Sequence, residues 1–173
     1  MPINRDFWSG RRVFLTGHTG FKGSWLSLWL QALGADTSGY SLPPPTDPNL
    51  FELGRVSSGM TSVVGDVRDF EFLKRTLAEK KPEIIIHLAA QSVVRYSYSH
   101  PLETYSTNVM GTANLLEAVR QLELSCAIVN VTSDKCYENK NSVCGYRESD
   151  TLGGHDPYSN SKACAELVMA GFR

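Results

Sequence analysis

Residues 11–26, "RRVFLTGHTGFKGSWL", decide the fold of this chain. Val13, Phe14 and Leu15 form a short unbroken apolar run, the pattern of a strand buried on both faces. Glycines follow at 17, 20 and 23, and then Trp25, Leu26, Trp29 and Leu33 recur at helical spacing, which predicts an amphipathic helix burying those four. A glycine-rich turn between a buried strand and a helix lays backbone N–H groups against a pyrophosphate at the helix N-terminus. In that reading Gly17 permits the tight turn, Gly20 lets the backbone approach phosphate, and Gly23 lets helix and strand pack closely. The nucleoside-triphosphate loop GxxxxGK[ST] cannot be laid on these residues, because Lys22 precedes Gly23 instead of following it.

Outward from that turn, short Val- and Ile-rich runs alternate with helix-period segments, as in a parallel sheet with helices on both faces. "ADTSGYSL" (35–42) reads as a second strand and "PPPTDP" (43–48) as the start of a long irregular loop; "TSVVGD" (61–66), "EIIIHLAA" (83–90) and "CAIVNVTS" (126–133) complete five strands. "DFEFLKRTLAEK" (69–80) places Phe70, Leu73 and Leu77 on one helical side. One long helix is expected from Pro101 to Leu122, and a last helix opens with Asp156 as N-cap and Pro157 in its first turn. There is no repeat or low-complexity block, so residues 1–173 read as one continuous α/β domain.

Composition excludes several classes of function. At 173 residues and a net charge of -1, with basic residues scattered, no surface for nucleic acid or acidic lipid is expected. The four cysteines make no CxxC pair and the histidines lack metal-ligand spacing, so no metal is expected and the thiols read as idle in a reducing cytosol. No segment approaches the ~20 apolar residues that span a bilayer. A soluble cytoplasmic protein follows as the expectation.

The chemistry is read from the carboxyl edge of the sheet, where ligands of open α/β folds bind. Thr132, Ser133, Asp134 and Lys135 leave the fifth strand there. Tyr158 and Lys162 stand four apart on the last helix and so share a face. A phenol ionises near ~10, and a neighbouring ammonium favours the phenolate, so this pair can supply a base. Asp66 ends the third strand and Val67 follows it, and Asp66 is placed for the adenine edge of a dinucleotide. The end of the second strand carries no Asp, Glu or Arg to read the adenosine ribose, so the motif does not separate NAD from NADP.

With "TGHTGFKG" (16–23), "HLAAQ" (87–91), "NVMGT" (108–112), "TSDKCYE" (132–138) and "DPYSNSKACAE" (156–166) in place, the chain resembles the extended short-chain dehydrogenase/reductase family. Within it the resemblance is to the bacterial CDP-glucose 4,6-dehydratase branch; dTDP-glucose dehydratases usually carry Thr-Asp-Glu at the "SDK" position, and epimerases small residues. The resemblance implies a Rossmann-like doubly wound parallel sheet in the order 3-2-1-4-5, cut before the last strands and a C-terminal substrate domain. Its cofactor contacts would be Gly17, Thr19, Gly20, Phe21, Lys22, Gly23, Asp66, Val67, Leu88, Ala89, Ala90, Gln91, Asn108, Tyr158 and Lys162.

The implied catalytic residues are Ser133, Asp134, Lys135, Tyr158 and Lys162. Tyr158 would take the C4 hydroxyl proton of CDP-glucose while hydride passes to NAD, with Lys162 holding the phenolate and nicotinamide ribose and Ser133 the C4 oxygen. Lys135 as C5 base and Asp134 as acid would then eliminate water across C5 and C6, and hydride would return to C6. A homodimer through the long helix and the Tyr158 helix is also implied. The alternatives are another dTDP-, GDP- or UDP-hexose dehydratase or epimerase, and a non-catalytic dinucleotide-binding module.

Overall fold

A computed structural model describes residues 4–140 and 143–173. Five parallel strands, β1 (Arg12–Thr16), β2 (Asp36–Ser41), β3 (Thr61–Val64), β4 (Ile84–His87) and β5 (Ala127–Asn130), form one sheet in the order β3-β2-β1-β4-β5. The order reverses between β1 and β4, where Val13 pairs Ile84 and Thr16 pairs His87. A crevice therefore opens at their carboxyl ends, beside the glycine turn and "LAAQ".

Helices α1 (Arg5–Trp8), α2 (Phe21–Ala32), α3 (Leu50–Leu53), α4 (Phe70–Lys80), α5 (Val94–Ser99), α6 (Pro101–Tyr105), α7 (Gly111–Gln121) and α8 (Pro157–Gly171) fill the connections. The two-residue period of a strand divides the core. Val13 and Leu15 of β1 pack with Leu30 of α2 in one cluster, whereas Phe14 joins Tyr40, Leu73, Leu77, Ile85 and Leu115 in the other. Each such buried side chain contributes about 1.5–3 kcal/mol. Helix starts follow their capping chemistry: Asp69 accepts from the Phe72 N–H and Asp156 from the Ser159 N–H.

Three expectations are corrected. Trp25 and Trp29 are not buried but 56% and 52% exposed, and the buried line of α2 is Gly23, Ser24, Ser27 and Leu30. The cause is the closeness of α2 to the glycine turn: a Cβ on Gly23 would lie 2.1 Å from the Gly17 carbonyl oxygen, so small residues face the sheet and bulky ones turn outward. Trp25 and Trp29 instead line an apolar groove of about 630 Å³ with Phe21, Leu26, Leu28 and Leu88. Second, the long helix is interrupted by a π turn at Ser106–Met110. Third, the stretch after β2 is not wholly irregular, since it holds α3 and a 3₁₀ turn at Val56–Gly59; α5 had no counterpart in the sequence reading. Among the described residues β5 pairs only with β4, and no helix is long and apolar enough to cross a membrane.

Candidate active site

The glycine turn has a different physical reason at each glycine. Gly17 has φ +76° and a Cβ there would meet the Ala89 nitrogen at 2.7 Å, while Gly23 is held by contact with Gly17. Gly20 has neither constraint: its φ is -73°, and the nearest atom to a Cβ would be the Gly17 oxygen at 3.5 Å. No side chain caps α2 at Gly20. The missing methyl keeps the approach to that N-terminus open, which is the geometry an anion needs.

Around the turn, Thr19 is buried, bonding Ser41 Oγ at 2.9 Å and donating to the Leu42 carbonyl at 2.8 Å, so its hydroxyl fastens the end of β2 to the turn. Phe21 and Lys22 are exposed at the head of α2. The Asp66 carboxylate takes a bidentate grip from Arg68, whose Nη2 lies 2.5 Å from Oδ2, and that hydrogen bonding holds its carboxyl below the usual range. The Val67 side chain is 4% exposed and belongs to the core.

A buried polar chain links this turn to the last helix. The Thr16 hydroxyl accepts from the Leu88 and Ala89 N–H groups, both at 3.1 Å, so its own proton points to His87 Nδ1 at 2.6 Å. His87 then donates from Nε2 to Thr112 at 3.1 Å, and Thr112 donates to the Asn108 carbonyl at 2.7 Å. Burial pushes His87 down to about 3, so it is neutral, as this donor pattern requires. Asn108, on the π turn, accepts from the Gln91 N–H at 2.8 Å and donates to the Gln91 carbonyl at 3.0 Å and to Ser161 at 2.8 Å. Gln91 and Asn108 thus meet, and Asn108 braces the segment after β4 against α8.

Tyr158 and Lys162 are buried on α8, at 8% and 6% exposure. The Tyr158 N–H donates to Ser97 of α5 at 3.2 Å, and Lys162 Nζ donates to the Val131 carbonyl at 3.3 Å. Burial lowers the Lys162 ammonium to about 8; Glu166 opposes this and Lys22 adds to it. Ser133 donates to Asp134 Oδ1 at 3.0 Å, accepts from the Lys135 N–H, and caps a 3₁₀ turn at Asp134–Cys136 that packs on α8. Asp134 and Lys135 are exposed and line a cavity of about 380 Å³ with Tyr137, His155, Asp156 and Ser159. The following loop folds back over this turn: Glu138 N–H donates to Thr151 and Gly153 N–H to Cys136.

Sequence reasoning missed Thr16, His87, Thr112 and Ser161 as parts of one chain, and it missed Glu166 as the hydrogen-bond partner of Thr132. The one visible signal was His87 closing the apolar run "EIIIH", a polar residue where the core continues.

With this geometry, residues 14–173 match the model of the GDP-mannose 4,6-dehydratase family. The chain belongs to that family. A CDP-glucose 4,6-dehydratase from Salmonella typhimurium is 61% identical over 99% of this chain and 48% of its own length. A CDP-paratose 2-epimerase from Salmonella typhi is 31% identical over 93% of this chain and 52% of its own. The solved structure of UDP-glucose 4-epimerase from Brucella ovis in complex with NAD superposes with a TM-score of 0.81 at 26% identity, covering 92% of this chain and 47% of that one. This dehydratase-family chain therefore spans about half the length of the relatives it matches, and carries the family's doubly wound sheet.

Proposed function

We propose that the complete protein converts CDP-glucose into CDP-4-keto-6-deoxyglucose and water, with NAD bound at the glycine turn. One observation carries this reading: the 3₁₀ turn with Asp134 and Lys135 packs on the helix with Tyr158 and Lys162. Oxidising a sugar hydroxyl needs only the Tyr–Lys pair, whereas eliminating water across C5 and C6 also needs an acid and a base, which the turn supplies. The CDP-glucose assignment is supported by 61% identity to an enzyme of that activity.

The residues fit a dinucleotide. Gly20 leaves the head of α2 open although nothing in the protein demands a glycine there. NAD would supply a hydride acceptor at C4 and the same hydride later at C6. Tyr158 would remove the C4 hydroxyl proton, and the Lys162 ammonium would balance the phenolate. Ser133 would turn its hydroxyl from Asp134 to the C4 oxygen. The ketone formed at C4 acidifies the C5 proton, which Lys135 would take while Asp134 protonates the departing C6 hydroxyl. As C6 is reduced Lys135 would return its proton to C5, so the atoms balance as sugar nucleotide in, keto-deoxy sugar nucleotide and water out.

The chain is read as the cofactor-binding half of that enzyme, in the cytosol. A homodimer is proposed through the faces that leave Leu102, Met110 and Leu167 at 85%, 55% and 61% exposure. The test is to incubate the complete protein with NAD and CDP-, dTDP-, UDP- or GDP-glucose and trap the 4-keto product with a hydrazine. Product from CDP-glucose alone is expected. Product from another nucleotide replaces the substrate assignment, and none from any of the four removes the dehydratase reading.

A further inference from the structure

Two residues one helical turn apart on α8 grip the two consecutive residues that follow β5. Lys162 Nζ donates to the Val131 carbonyl at 3.3 Å, and the Glu166 carboxylate accepts from the Thr132 hydroxyl. Val131 and Thr132 lead directly into Ser133, Asp134 and Lys135. The i and i+4 positions place Lys162 and Glu166 on one face of the helix. Glu166 enters no salt bridge among the described residues.

We infer that Glu166 is a positioning residue: its carboxylate ties the segment after β5 to α8 through Thr132 and serves as countercharge to the Lys162 ammonium. This inference deepens the dehydratase reading and rests on it for its effect on turnover. The charged and titratable groups that face Lys162 are few. Glu166 stands on its own helix and favours the charged ammonium, Lys22 at the head of α2 disfavours it, and His87 on β4 is neutral. Burial and Lys22 work against the ammonium, and Glu166 is the one anion among these groups that works for it. An ammonium that lost its proton near neutral pH could no longer balance a phenolate at Tyr158.

The two roles separate by substitution in the complete protein. Glu166→Gln keeps an acceptor for Thr132 and removes the charge; Glu166→Asp keeps the charge on a shorter arm; Thr132→Val removes the bond and keeps the charge. In Glu166→Gln the alkaline limb of the kcat/KM profile is expected to move to lower pH by about half to one unit. In Glu166→Asp and Thr132→Val the limb should stay near the wild-type position. An NMR titration of the Lys162 ammonium, with isotopically labelled lysine and assignment by Lys162→Arg, should show the same downward shift in Glu166→Gln. A wild-type limb and a wild-type Lys162 titration in Glu166→Gln overturn the inference, as does an equal shift in Thr132→Val. If the wild-type protein turns over none of the four sugar nucleotides, the dehydratase reading falls, and the Lys162 titration still decides the role of Glu166.

Discussion

The Asn108 amide donates to the Ser161 hydroxyl at 2.8 Å, joining the π turn of the long helix to the helix that carries Tyr158. Ser161 in turn donates to the Tyr158 carbonyl at 2.6 Å. Asn108 also exchanges two hydrogen bonds with the Gln91 backbone, so one buried side chain ties the segment after β4, the long helix and α8 together. Asn108→Ala would leave the Gln91 N–H and carbonyl without these partners, and should cost about 2–4 kcal/mol in urea unfolding. Ser161→Ala, which leaves the Gln91 exchange intact, should cost about 1 kcal/mol. Equal costs would mean that the Gln91 bonds do not dominate.

The glycine turn predicts opposite results for two similar changes. Gly23→Ala forces a Cβ to 2.1 Å from the Gly17 oxygen and should destabilise the fold by several kcal/mol, roughly the overpacking range or beyond. Gly20→Ala meets only an ordinary contact at an unstrained φ, so its melting temperature should be unchanged or slightly raised. Its affinity for NAD should nonetheless fall, by about tenfold or more for a methyl in the path of the pyrophosphate. Isothermal titration beside a thermal melt reads both quantities. Wild-type NAD affinity in Gly20→Ala would remove the anion from the head of α2.

Tyr158→Phe removes one oxygen from a ring that stays buried. In the complete protein, turnover of CDP-glucose should drop by about 10³-fold, within the usual worth of a general base, because no other residue is offered for the C4 proton. NAD affinity and the melting temperature should stay within a few-fold and a few degrees of wild type. Retained turnover would displace Tyr158 from the role proposed for it.

Two buried histidines set an acid limit on stability. Desolvation lowers His18 to about 4 and His87 to about 3, against 6.5 for the free side chain. Their folded values lie below the unfolded one, so the unfolded chain binds more protons as pH falls below 6.5. The stability present above that pH is then lost progressively toward pH 4 and 3. Each group adds a slope of about 1.4 kcal/mol per pH unit inside its window. Urea unfolding at pH 7.5, 6 and 5 should show the decline, and His87→Gln should flatten it even if its own stability is lower. An unchanged slope in His87→Gln would place the acid sensitivity elsewhere.

Much of this molecule was legible before folding because its signals are local. The apolar run before Gly17, the cap-and-proline pair at Asp156 and Pro157, and the Val- and Ile-rich runs each report a short-range constraint, and all five strands followed from them, while the order 3-2-1-4-5 came from the family resemblance. The helical period of α2 misled because amphipathicity reports that one face is apolar, and does not say whether that face meets the sheet. At Trp25 and Trp29 the close approach at Gly23 reversed the answer.

The sequence by itself determined the doubly wound sheet, the glycine turn, and the types of residue that reach its carboxyl edge. Tertiary structure alone decided how they are joined: the run from Thr16 through His87, Thr112 and Asn108 to Ser161, and the grip of Lys162 and Glu166 on the segment after β5. These links span 25 to 71 residues of chain, apart from the Asn108–Thr112 step within the long helix. Periodicity carries no information at that range, because which buried polar group meets which is settled only when the strands and helices have packed and each donor must find an acceptor.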